Sequence, residues 1–172
     1  MRFYKMKNHI AYAKYLYRHK LEVYKACRLL RVPFYRALFH DMSKFTPHEW
    51  TAYTNSFYHP NGSKKSRHET SHHEKKEFDY AWNHHQKVNK HHWQYWVLIL
   101  DSGEILPLEM PDTYVREMVA DWIGAGKAIT GRYEFFEWYR SNQEKMKLHY
   151  LTRLKVEQYL EHCHNVLVKK IY

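Results

Sequence analysis

The sequence predicts a mainly α-helical protein with one small β-hairpin, and three observations carry that prediction. Glycine and proline number only five each in 172 residues, too few for the frequent tight turns of a sandwich or barrel. Apolar residues recur at three- and four-residue intervals over long stretches, the period of a helix with one buried face. Hydrophobic residues make up 44% of the chain, enough to form a core rather than leave the chain disordered. A single domain over residues 1–172 is expected at this length.

The elements follow in order. From about Tyr4 to Val32, Ile10, Ala13, Leu16, Tyr17, Val23, Leu29 and Leu30 mark a helix with Lys and Arg between them. Pro33 ends it and opens a second, short helix from Phe34 to Met42, which carries His40 and Asp41 near its C-terminal end. Thr46-Pro47-His48-Glu49 reads as a capping box, with Glu49 reaching back to the cap, and starts a helix to about Tyr58. His59 to Arg67, with Pro60, Asn61, Gly62 and Ser63, is a loop. Helix returns from about Glu69 to Val88. Its apolar face holds Phe78, Ala81, Trp82, His85 and Val88, so His85 turns inward more than His84. Asn89 to His92 breaks the pattern, and Gln94–Leu100 and Ile105–Leu108 form a hairpin across Asp101-Ser102-Gly103-Glu104. Pro111 and Asp112 begin a helix to about Ile123, which Gly124 and Gly126 should stop. Helices fill about 134–169, with a break near Ser141-Asn142.

A net charge of +10 suits an anionic partner, a phosphorylated small molecule or a nucleic acid. The two cysteines, Cys27 and Cys163, exclude a disulfide framework and a four-cysteine zinc site, which favours a reducing, cytoplasmic setting. Met1-Arg2-Phe3-Tyr4-Lys5 is followed by no apolar signal core. Trp96–Leu100, the longest strongly apolar run, is far short of the ~20 residues of a membrane helix, so no membrane partner is expected.

The chemistry lies in separated histidines and aspartates: His19, the pair His40-Asp41, the cluster His84, His85, His91 and His92, and Asp121. Imidazole nitrogen and carboxylate oxygen are the donors that Zn, Fe, Mn and Co accept together. His19 precedes His40 by 21 residues, room for a helix, a turn and an antiparallel helix; His9 competes for the same role. Two histidine pairs seven residues apart let one from each reach a common ion, and His85 and His92 are the choices, with His84 and His91 as groups supporting the ligands or as substrate contacts. Asp121 sits among Val119, Ala120, Trp122 and Ile123, where burial of a carboxylate demands a cation or donor; Glu117 precedes it by one turn as a supporting group. His68, His72 and His73 belong to a charged stretch and read as a solvated face.

The order His…His-Asp…His…His…Asp resembles the HD superfamily of metal-dependent phosphohydrolases. The segments Phe39–Phe45, Ala81–His85, His91–Trp96 and Met118–Gly124 look more specifically like a small uncharacterised family of bacteria and phages. The resemblance covers about His19 to Gly126. It implies an HD-type helical bundle, its metal-site core over about 9–126, hydrolysing a phosphorylated small molecule, foremost a nucleotide, with water activated by one or two divalent ions. It further implies that His19, His40, Asp41 and Asp121 hold a first ion, and that His85 and His92, with Asp41 bridging, hold a second. Lys44, three residues after Asp41, would act on phosphate charge with Asp41 at the catalytic centre, and Arg116 would be a further phosphate contact. The histidine pairs lie closer together than is usual in two-metal members, so a single ion with His84–His92 on the substrate stays open. Two rival readings are an HD-fold di-iron oxygenase and a basic nucleic-acid-binding protein without catalysis. Lys and Arg are spread along the chain rather than clustered, which disfavours the last.

Overall fold

The computed structural model describes residues 6–169. Met1–Lys5, including Tyr4, where the first helix is predicted to begin, lie outside the described residues. Seven α-helices occur among those described: α1 (Lys7–Leu29), α2 (Phe34–Phe39), α3 (Pro47–Phe57), α4 (His72–Val88), α5 (Asp112–Thr130), α6 (Phe135–Asn142) and α7 (Tyr150–Leu167). A two-stranded antiparallel hairpin, β1 (Val97–Ile99) and β2 (Ile105–Pro107), pairs Leu98 with Leu106. Gly103 (φ +84°) supplies the left-handed turn residue between the strands. The mainly α architecture with a small hairpin is therefore as expected. No helix among the described residues is long and apolar enough to cross a membrane.

The described chain divides into two compact units. In the first, residues 6–18 and Asp41–Asn89 pack the start of α1 with α3 and α4 around Tyr12, Leu16, Ala52, Tyr53 and Ala81. Stacked and edge-on aromatic pairs, Tyr53 with Phe57 and Phe78 among them, complete this small core. In the second, His19–His40 and residues 90–169 pack the rest of α1 with α2, α5, α6 and α7. Val23 and Cys27, Val115 and Val119, Val156 and Leu160 are among its fully buried residues from α1, α5 and α7.

Several boundaries differ from expectation, each for a physical reason. Helix α2 stops at Phe39, so His40 and Asp41 are not helical as expected: His40 is extended (φ −51°, ψ 132°) and Asp41 left-handed (φ 57°, ψ 29°). Aspartate tolerates that region better than most side chains. The Lys20 ammonium donates to the carbonyl oxygens of Leu38 (3.2 Å) and His40 (2.6 Å), satisfying the helix end. Helix α5 runs through Gly124 and Gly126 to Gly131 (φ 77°), which does end it. Gly124 is a packing residue, for a Cβ there would lie 2.4 Å from the backbone nitrogen of Val23. Gln94–Trp96 belong to a 3-10 turn (Trp93–Trp96), not to the first strand. Helix α4 begins at His72 behind a Ser71/Glu74 capping box rather than at Glu69. The C-terminal break is longer than expected, with a 3-10 turn at Gln143–Lys145 and extended chain before α7.

Candidate functional site

In the second unit the four-residue spacing of Glu117 and Asp121 puts both carboxylates on one face of α5, where His40 lies against them. His40 Nδ1 is 3.2 Å from Glu117 Oε1, and its Nε2 is 3.3 Å from Asp121 Oδ1. His19 reaches the same oxygen from the middle of α1, its Nε2 3.5 Å from Asp121 Oδ1. His91, from the turn after α4, lays its ring 4.3 Å from those of both His40 and His92, with Nδ1 3.5 Å from Glu117 Oε1. All six residues are buried. One ligand atom each from His19, His40 and Asp121 lies within 4.8 Å of the others, and the same holds for His40, His91 and Glu117.

Glu117 is anchored from behind. Arg36 of α2 donates from Nε to Glu117 Oε2 (2.9 Å) and from a terminal nitrogen to the same oxygen, while its guanidinium lies 4.0 Å over the Tyr114 ring. Burial alone would favour the neutral acid, but the hydrogen bonds of His40 and His91 outweigh it. The Glu117 carboxyl is held well below the usual carboxylate range.

In the first unit the same pattern recurs with different residues. His85, fully buried on α4, has Nδ1 2.8 Å from Glu49 Oε2 and Nε2 3.3 Å from Asp41 Oδ1. The other oxygen of Glu49 is 2.8 Å from Nδ1 of His84, whose side chain is 42% exposed. Lys44 donates to the second oxygen of Asp41, both side chains being buried. Burial disfavours the charged ring, yet hydrogen bonds to Asp41 and Glu49 raise the His85 pKa above its ordinary value. Those to His85 and His84 lower that of Glu49 against its own burial.

An imidazole with a carboxylate at each nitrogen has two chemical solutions. Either it is doubly protonated, or one nitrogen is a bare lone pair and a cation sits between it and the carboxylate. His40 between Glu117 and Asp121 and His85 between Glu49 and Asp41 both have this form. A carboxylate behind the ligand imidazole is also the common supporting arrangement of metal sites, so the donor set fits a divalent ion.

The expected residues are placed as follows. His19, His40, His91, His92 and Asp121 fall together in one unit, and Asp41, Lys44, His84 and His85 in the other. The chain passes from one group to the other across the His40–Asp41 peptide bond. His85 is turned inward and His84 is not, as helical phase implies. His91 is as deeply buried as His40 (each 2% exposed) and contacts Glu117, a position that fits the supporting role among those expected of it. Arg116 is turned to structural use: it donates to the carbonyl oxygen of Arg31 (2.8 Å) and pairs with Asp112 (2.9 Å), closing the end of α1. His9 accepts a hydrogen bond from Trp50 Nε1 (2.9 Å). His68, His72 and His73 are exposed.

Two residues escape the sequence reading. Glu49 reads as part of a capping box; Thr46 does accept from its backbone nitrogen (3.5 Å), but the carboxylate turns inward to the histidines. The available signal is its helical phase, for Glu49, Ala52, Tyr53 and Ser56 share the buried face of α3. Arg36 left a fainter trace as the one charge in the apolar segment Phe34–Phe39.

The chain belongs to DUF5662, a family of unknown function, whose model matches residues 8–162. No curated protein and no solved structure matches it.

Proposed function

We propose that this protein is a metal-dependent phosphohydrolase acting on a phosphorylated small molecule, a nucleotide foremost, with one or two divalent ions. The observation that carries the reading is the repeated carboxylate–imidazole–carboxylate array, Glu117–His40–Asp121 and Glu49–His85–Asp41. The resemblance of the ligand order to that of HD phosphohydrolases and the net charge of +10 support it.

His19, His40 and Asp121, with His91 and His92 beside them, would hold an ion in the second unit; Asp41 and His85 would do so in the first. A divalent ion in such a setting lowers the pKa of water toward ~7 and offsets phosphate charge. The chain's own part is to keep the donors fixed. Glu117, clamped by Arg36, orients His40 and His91, and the Lys44 ammonium fixes the Asp41 carboxylate. A phosphate oxygen arriving at Lys44 would compete with Asp41 for the same ammonium hydrogens, which ties substrate binding to freedom of the carboxylate.

The test is phosphate release from a panel of nucleoside mono-, di- and triphosphates with added Mn²⁺, Co²⁺, Fe²⁺ or Zn²⁺. At least one metal–substrate pair should turn over, and Asp41→Asn should lower that rate on the order of 100-fold or more. Turnover by Asp41→Asn at the wild-type rate would contradict the assignment, as would its absence across the whole panel.

A further inference from the structure

Glu49 carries an inference that rests on the metal reading but goes beyond it. Its carboxylate is fully buried in the first turn of α3 and is shared between adjacent residues of α4, Oε1 with His84 and Oε2 with His85, each 2.8 Å from Nδ1. Neighbouring helical side chains diverge by about 100°, so one carboxylate reaching both rings fixes two orientations at once. A charged group spent in this way is costly if its purpose is only to fill a core. An apolar side chain would serve there without the desolvation penalty.

The atoms around His85 show what the arrangement does. Glu49 Oε2, Ser43 Oγ (3.1 Å) and Asn89 Nδ2 (3.1 Å) all approach Nδ1, whereas Asp41 Oδ1 lies at Nε2. The Asn89 amide nitrogen also donates to Ser43 Oγ (2.8 Å) and to the carbonyl oxygen of His85 (2.9 Å), so it is not available as the acceptor for an Nδ1 proton. Glu49 is the shortest contact and can only accept when ionised. A neutral His85 therefore keeps its proton on Nδ1 and turns the Nε2 lone pair toward Asp41.

We infer that Glu49 is a positioning residue: it sets the Nδ1–H tautomer of His85, making Nε2 the donor to an ion shared with Asp41, and by its other oxygen it holds His84 at the exposed edge. Glu49→Gln keeps the shape but replaces one accepting oxygen by a donating amide, so at most one of the two rings can still donate its Nδ1 proton there.

The experiment has two readouts on the wild type, Glu49→Gln and Ser43→Ala. The first is the tautomer of His85 in metal-free protein, from side-chain ¹⁵N shifts at a pH where the ring is neutral. Wild type and Ser43→Ala should show Nδ1–H, and Glu49→Gln should lose it in whole or in part. The second is Co²⁺ affinity by chelator competition, expected to fall about 10–100-fold in Glu49→Gln with thermal unfolding of the metal-free protein still cooperative. An Nε2–H tautomer in wild type, a tautomer unmoved by Glu49→Gln, or a tautomer moved by Ser43→Ala instead would overturn the inference. If wild type binds no Co²⁺, the metal reading fails by itself, and the tautomer still decides what Glu49 does.

Discussion

At the scale of the residue, Glu117, Glu49 and His85 each have partners that favour the charged form against burial. Glu117 has its folded-state pKa depressed by His40 and His91 against burial. Its contribution is then present above the unfolded carboxyl value of ~4.3 and lost as pH falls through the acid range. His85 has the opposite sign, its pKa raised by Asp41 and Glu49 against burial. Its contribution is complete below ~6.5 and lost as pH rises through the elevated value. Metal-free protein should therefore be most stable at mildly acidic pH. Its urea midpoint in chelator should decline as pH rises from about 6.5 through the elevated His85 value, and a profile that does not fall with rising pH would contradict the His85 geometry. The residues at stake were partly legible in the sequence. His19, His85 and Asp121 occur in helical phase with apolar neighbours, and polar groups in such places need partners. Glu49 and Arg36 were not found because each also fits an ordinary local role, a cap and a solvated helix charge.

At the scale of the element, helix type and order follow from periodicity, and the errors cluster where tertiary contact overrides a local rule. Gly124 looks like a helix stop, yet α5 continues through it because α1 packs against its bare Cα. Gly126, two residues on, meets nothing within 4 Å at its Cβ position. The two make a paired test. Gly124→Ala should destabilise by roughly 1–3 kcal/mol through overpacking against Val23, while Gly126→Ala should stabilise by about 0.5–1 kcal/mol as a helix-interior replacement. Thermal or urea unfolding of both variants measures the difference, and equal effects would mean that α5 does not pack on α1 through Gly124. The end of α2 was illegible for a similar reason. What holds its end after Phe39 is the ammonium of Lys20, nineteen residues earlier, together with a left-handed Asp41. Neither leaves a periodic mark.

At the scale of the whole molecule, the chain moves between its two units three times, at Arg18–His19, His40–Asp41 and Asn89–Lys90. Each crossing falls at or within two residues of a candidate ligand, namely His19, His40 and Asp41, and His91. His85 and Asp121, also expected ligands, lie inside α4 and α5 and at no crossing. Each unit carries its own buried carboxylate–imidazole array, and the reading of both as donors to a divalent ion is what the proposed chemistry depends on. Metal content per chain tests it most directly, by elemental analysis of wild type and Asp121→Ala purified without a histidine tag and reconstituted with Mn²⁺, Fe²⁺, Co²⁺ or Zn²⁺. The account predicts about one or two equivalents of a divalent transition metal in wild type and less in the variant. Wild-type protein that retains no such metal after reconstitution would contradict it.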